Sequence, residues 1–252
     1  MTPSGGHRPL VVAHRGSSGS APENTMAAFR LAVEAGADMI EFDVRMTRDF
    51  ELVVHHDRNL GRTSDGSGRI WEMTLDELRA IDAGSWHSKK YAHERIPTLR
   101  QVLGGVPFSV GLNIEVKTDG DRRRGLALPE SVLLHVREAR REDSVIVSSF
   151  DHAFLRRLHH LAPALRLGAL LVPVRDRFRS PAQIARGTGA RVIVCSRTQL
   201  RARFLEGARA AGLGVAVYGV NTAAEAAAAT RAGVDAVITD NPARIIRAIR
   251  ST

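Results

Sequence analysis

Two carboxylates interrupt a run that should be buried. Met39-Ile-Glu-Phe-Asp-Val-Arg-Met46 has the apolar, β-branched and aromatic make-up of a core strand. Glu41 and Asp43 stand two apart in it, and residues two apart on a strand share a face. Burying two like charges together is costly unless a cation answers them. The pattern recurs in Asn113-Ile-Glu115-Val-Lys117, which adds a third acid. Glu41, Asp43 and Glu115, with no thiolate among them, make a hard oxygen donor set. Such a set suits one divalent cation, Mg²⁺ or Ca²⁺, rather than Zn²⁺. The acids outweigh a divalent ion by one charge, so Lys117 and Arg15 can restore balance and hold an anion. The competing reading is a structural ion-pair cluster of the acids with Lys117 and Arg45. Repetition of the pattern on two strands favours the metal.

Histidines flank this cluster in sequence. His14 closes the apolar run Leu10–Ala13, and His55 and His56 follow Leu52-Val-Val54. Imidazole titrates near neutrality, so a pair can serve one reaction as base and acid. His55 and His56 must point to opposite faces if extended, and spacing alone does not choose between them. His7, His135, His159 and His160 read as surface or satisfied core residues, and His87 and His93 as parts of an irregular region. Arg15 beside Gly16 suits phosphate: glycine permits a tight turn and a guanidinium grips two oxygens. Tyr218 reads equally as packing at a rim or as an aromatic wall for a small polyol. Trp71 and Trp86 read as packing.

The elements that carry these residues alternate regularly. Leu10–Ala13 is a strand, followed by a helix from a cap at Asn24 to about Ala35, stopped by Gly36. Strand 39–46 follows, continued by Leu52 to His55 after a turn at Arg48-Asp49. Residues 57–106 break the pattern, with capping boxes at Thr74/Glu77 and Thr98/Gln101. That stretch is too long for a plain connection, so it reads as an insertion of about 50 residues over one mouth of the fold. Strands then recur at Gly111–Val116, Val145–Ser148, Leu167–Leu171, Arg191–Cys195, Gly214–Tyr218 and Ala236–Thr239. Helices follow them near Leu128–Arg140, Asp151–Leu161, Pro181–Thr188, Gln199–Ala211, Thr222–Ala232 and Pro242–Arg250. Eight such units indicate an α/β fold, a (β/α)8 TIM barrel formed by residues 1–252 as one domain. An open doubly wound sheet is the alternative, since alternation does not show closure. In a barrel the polar residues at the strands' C-terminal ends converge on one mouth.

Composition narrows the class. The single cysteine, Cys195, leaves no internal disulfide and suits a reducing compartment. No apolar run approaches the ~20 residues that span a bilayer. Met1 to Arg8 lacks the apolar core of a signal peptide, so a cytoplasmic enzyme is the expectation. The net charge is +9, with 14 basic and 16 acidic side chains in residues 1–120 but 22 and 11 in 121–252. The basic half holds one tyrosine and no tryptophan for stacking bases, and three acids at one mouth repel a polyanion. Nucleic acid is therefore not the expected partner. A non-catalytic anion-binding module is the weaker alternative, and peripheral contact with an anionic membrane stays open.

Taken in order, His14-Arg-Gly16, Pro22-Glu-Asn-Thr25, Glu41-x-Asp43, His56-Asp57 with Arg62-Thr63, and Asn113-x-Glu115-x-Lys117 resemble the glycerophosphodiester phosphodiesterase family. Ser149-Phe150 and Thr239-Asp-Asn-Pro242 extend the resemblance along nearly the whole chain. It implies a TIM barrel with an insertion after strand two. It implies a small-molecule glycerophosphodiester substrate, split into sn-glycerol 3-phosphate and an alcohol, with the substrate's own hydroxyl attacking first through a cyclic phosphate. It further implies a divalent ion on Glu41, Asp43 and Glu115, an acid–base pair of His14 and His56, and phosphate binding by Arg15 and Lys117. His56 is selected over His55 because the family histidine directly precedes the aspartate. Tyr218 departs from the tryptophan usual near that position, which leaves the preferred alcohol open. A lysophospholipase D-type activity on lysophospholipids at a membrane surface is the alternative.

Overall fold

The computed structural model describes residues 8–118 and 122–251. The start of the chain, expected to lack a signal peptide, and His7 lie outside the described residues, apart from Arg8. The elements in order are β1 (Leu10–His14), α1 (Met26–Glu34), β2 (Met39–Met46), β3 (Leu52–Val54), α2 (Leu75–Arg79), α3 (Leu99–Gly105), β4 (Gly111–Val116), α4 (Arg122–Glu138), β5 (Val145–Ser149), α5 (His152–Leu161), β6 (Arg166–Leu170), α6 (Pro181–Thr188), β7 (Val192–Ser196), α7 (Ala202–Ala210), β8 (Gly214–Tyr218), α8 (Ala223–Ala232), β9 (Ala236–Thr239) and α9 (Pro242–Arg250).

The sheet closes. Its order is β1-β9-β8-β7-β6-β5-β4-β2-β3, with β1 also paired to β2. Every pairing around the ring is parallel, so eight strands form a TIM barrel and the open sheet is excluded. The remaining strand differs from expectation. Leu52–Val54 does not prolong β2 but folds back antiparallel to it, Val44 opposite Val54. Phe50 at φ +67° makes the reversal.

Alternation sorts each strand. On β2, Ile40, Phe42, Val44 and Met46 face outward into one continuous core with the helices. Glu41, Asp43 and Arg45 face the lumen, buried nonetheless. On β4, Leu112, Ile114 and Val116 join the outer core, leaving Asn113 and Glu115 inside. Beneath the polar layer the lumen is filled by Val12, Leu170, Val194, Ala216, Ala236 and Ile238. The polar residues are therefore carried on a packed floor, not over a pore.

Between β3 and β4 the chain builds a second small core of Val53, Leu60, Ile70, Leu78, Ile81, Ala83 and Ile96. Helix α3 after it packs into the main core through Leu99, Val102 and Leu103. Both expected capping boxes form here. Two helix starts differ from expectation. The cap of α1 is Thr25, whose side chain accepts from Ala28 N, because Asn24 is otherwise engaged. Helix α4 begins at Arg122 and carries Pro129 in its interior, its buried stripe being Leu128, Val132, Leu133 and Val136. No described helix is long and apolar enough to cross a membrane.

Candidate active site

Register brings the three acids together. Strands β2 and β4 pair with Glu41 opposite Asn113 and Asp43 opposite Glu115. Glu41, Asp43 and Glu115 each offer an oxygen, all within 4.8 Å of one another. They are 2%, 1% and 8% exposed, so water does little to screen their repulsion. Glu41 carries the imbalance. Burial first, then the neighbouring Asp43, push its carboxyl well above the usual carboxylate range. One of its oxygens, Oε1, is buried without a hydrogen-bond partner. Asp43 goes the other way, because Lys117 and Arg15 more than offset its burial. Burial and Asp43 raise Glu115 against the opposing pull of Lys117. An all-oxygen set with an orphaned oxygen and an unshared charge fits a hard divalent cation.

The cations stand at the rim of this cluster. Lys117 Nζ lies 3.0 Å from Asp43 Oδ1 and also pairs with Glu115. Its ammonium sits 5.7 Å from the Phe150 ring. Arg15 leaves β1 at φ +54°, followed by Gly16 at φ +81°. That turn aims the Arg15 N–H at Glu41 Oε2, 3.0 Å away. A Cβ on Gly16 would come within 2.7 Å of the Ala28 backbone, so the turn needs glycine. The guanidinium then spans Glu23 Oε1 at 2.8 Å and Asp43 Oδ2 at 3.3 Å.

Each of the two histidines is held by an aspartate. His14 Nδ1 is 2.6 Å from Asp240 Oδ1, and His56 Nδ1 is 2.6 Å from Asp57 Oδ1. Both aspartates are held low, to about 2: Asp240 chiefly by the His14 bond, and Asp57 by Arg62 and His56 against its burial. A carboxylate only accepts, so each Nδ1 donates and each Nε2 is left for chemistry. His14 Nε2 lies 3.9 Å from Glu41 Oε2. Burial lowers the His14 pKa, but Asp240 and Glu41 together raise it above the ordinary value. Burial dominates at His56, where Arg15 and Lys117 push the same way, and its pKa is lowered despite Asp43. His55 points away and is buried, with Nδ1 at 3.0 Å from the Asp57 carbonyl.

Several residues take supporting roles that the sequence did not assign them. Asn24, at φ +60°, donates from Nδ2 to Asp43 Oδ2 (2.9 Å) and accepts from the Asp43 N–H (3.3 Å). Asp240 is fixed by Asn221 Nδ2 (2.7 Å) and Ser18 Oγ (3.2 Å). Arg62 bridges Asp57 to Glu23, which binds Arg15, so a chain of alternating charge links His56 to Asp43. Their positions at strand ends and inside the sequence motifs were the available signal. Arg45, proposed as a counter-charge, donates to the His56 carbonyl at 2.9 Å and so props that turn. Tyr218 is half-buried against the lumen floor, on a strand four places around the ring from β4. It lies across the mouth from the acids rather than among them.

The sequence profile of the Glycerophosphoryl diester phosphodiesterase family matches residues 14–244. A glycerophosphodiester phosphodiesterase of Caldanaerobacter subterraneus is 37% identical over 244 residues, covering 96% of this chain and 98% of its own. Among solved structures, a phosphodiesterase of Oleispira antarctica in complex with the product sn-glycerol 3-phosphate superposes with a TM-score of 0.89 at 30% identity. That match covers 96% of this chain and 97% of the other. A glycerophosphodiester phosphodiesterase of Agrobacterium tumefaciens gives 0.83 at 31%, covering 95% and 99%.

Proposed function

The chain belongs to the glycerophosphodiester phosphodiesterase family, and from that premise we propose how its own residues perform the reaction. The enzyme hydrolyses glycerophosphodiesters to glycerol 3-phosphate and an alcohol. Glu41, Asp43 and Glu115 hold one divalent ion, Mg²⁺ or Ca²⁺. When bound, that ion neutralises phosphate oxygens and polarises phosphorus. Arg15 and Lys117, already at the rim of the acid cluster, turn to the remaining phosphate charge. Their attraction grows as the pentavalent arrangement develops.

His14 and His56 do the proton work. Each presents Nε2 because its aspartate occupies Nδ1. One takes the proton of the attacking hydroxyl and the other returns a proton to the leaving alkoxide. The substrate's own glycerol hydroxyl is the first nucleophile, giving a cyclic phosphate that water opens in a second passage with the roles reversed. Tyr218 faces the glycerol or the alcohol across the mouth.

The observation that supports the metal role above all is the buried Glu41 Oε1 with no partner, in a cluster of three acids that Arg15 and Lys117 leave one charge short of balance. The test is release of glycerol 3-phosphate from glycerophosphocholine by chelated enzyme, then with Mg²⁺ or Ca²⁺ restored. Activity should vanish and return. Chelated enzyme turning over at the full rate ends the metal assignment.

A further inference from the structure

Val174 and Phe178 are the most exposed large apolar side chains among the described residues, at 88% and 89%. They stand four apart in the loop between β6 and α6, which leaves the same end of the barrel as the catalytic groups. The loop is built, not frayed. Asp176 is buried beneath it and accepts from Val172 N (2.9 Å), Arg175 Nη2 (2.7 Å) and Arg179 Nη1 (3.2 Å). Arg175 Nη1 also donates to the Phe150 carbonyl (2.8 Å), and the Phe150 ring lies against Lys117. The scaffold thus ties the loop to the phosphate-binding rim while holding its two apolar tips out into water.

Water-exposed apolar tips held by a rigid turn point to something that covers them. The charge around them says what kind of surface. Arg177 lies 5.2 Å from the Phe178 ring. Arg175 and Arg179 share Asp176, the one acid of segment 172–180, so with Arg177 the loop itself carries a net charge of +2. Paired apolar tips on a basic loop match the boundary of an anionic bilayer, where rings and aliphatic groups enter the headgroup layer and guanidinium groups meet lipid phosphates.

We propose that the β6–α6 loop is an interfacial anchor that seats the barrel mouth on an anionic lipid surface, so that phosphodiesters carried by lipids can reach the site. This rests on the reading of that mouth as the substrate entrance. The tips are isolated and convex, which suits a fluid layer better than the packed, desolvated pocket of a protein interface.

The test is flotation with vesicles of phosphatidylcholine alone and of phosphatidylcholine with phosphatidylglycerol. Hydrolysis of soluble glycerophosphocholine is measured beside it. Wild type should float only with the anionic vesicles and release with added salt. Val174→Ser/Phe178→Ser should weaken binding by roughly tenfold or more, and Arg177→Gln by roughly fivefold. All should keep the soluble activity. A Phe178→Trp variant should show blue-shifted emission with anionic vesicles, over the background of Trp71 and Trp86. Equal binding to neutral vesicles, unchanged binding by the double variant, or no shift in Phe178→Trp overturns the anchor. So does self-association through the loop, seen as concentration-dependent sedimentation that the double variant abolishes. Loss of soluble activity in wild type would instead count against the proposed function.

Discussion

Asp240→Asn tests the acid–base pair most sharply, because the surrounding bonds dictate how the new amide must lie. Asn221 Oδ1 is committed as acceptor to Thr239 Oγ1 and Asp240 N, both at 2.9 Å. Its Nδ2 therefore donates to position 240, at 2.7 Å from Oδ2. In the variant the amide oxygen must stay there, since two NH₂ groups cannot face each other. The new NH₂ then takes the place of Oδ1, 2.6 Å from His14 Nδ1. A donor at that point forces His14 to accept through Nδ1 and to carry its proton on Nε2. That is the wrong tautomer for a base, and an imidazolium formed there has lost its stabilising carboxylate. Loss of one acid–base group costs ~10²–10⁴ in rate, or about 3–5 kcal/mol of barrier. Since Asp240 is not among the metal-site acids, the loss should fall on kcat with glycerophosphocholine while metal affinity holds. The reasoning also predicts a rescue. In Asp240→Asn/Asn221→Asp the carboxylate introduced at position 221 accepts from the amide introduced at position 240, which turns that amide's oxygen back to His14 Nδ1. This double variant should recover at least roughly tenfold of the lost kcat, a fraction of that same range. A double variant no better than the single one, or a single variant within twofold of wild type, refutes the tautomer argument.

Other perturbations separate the remaining parts. Glu115→Gln should abolish the rise in melting temperature on adding Mg²⁺ or Ca²⁺, which for wild type is worth about 2.7 kcal/mol at a hundredfold excess over Kd; an undiminished rise removes Glu115 from the site. Asn24→Ala leaves the buried Asp43 short of two hydrogen bonds and should cost about 1–3 kcal/mol by denaturant unfolding, together with weaker metal binding by calorimetry; unchanged values for both would show that Asn24 is merely a turn residue. The raised Glu41 sets a pH dependence in chelated enzyme. A carboxyl whose folded pKa lies above its ordinary 4.5 takes up protons on folding. Its contribution to stability is present below pH 4.5 and lost as pH rises through the higher folded value. Melting of the chelated protein should fall across that window, Glu41→Gln should flatten that part of the slope, and metal should oppose the fall; a Glu41→Gln curve parallel to wild type would falsify the burial argument.

What the sequence displays and what it conceals differ by kind of contact. The acid pair on β2 and its echo on β4 were legible because strand periodicity is local, and parallel neighbours leave little freedom in where Glu115 lands. The barrel itself was legible from alternation, although closure rests on the pairing of β1 with β9, which no local pattern encodes. That same closure delivers Asp240 to His14 across 226 positions, so Asp240 could be seen at a strand end and in a motif, but its pairing with the imidazole could not. Asn24 was misread for a different reason. Asparagine caps helices well, so local propensity offered one role, but the left-handed backbone turns its amide onto Asp43 and hands the cap to Thr25. Phe50 likewise reverses a strand that composition alone would have prolonged. In each case a short-range preference lost to a long-range demand made by a buried charge or by the sheet. A sequence reading of such a site should therefore mistrust its helix caps and turns nearest to buried acids, because those are the residues that tertiary structure takes for other work.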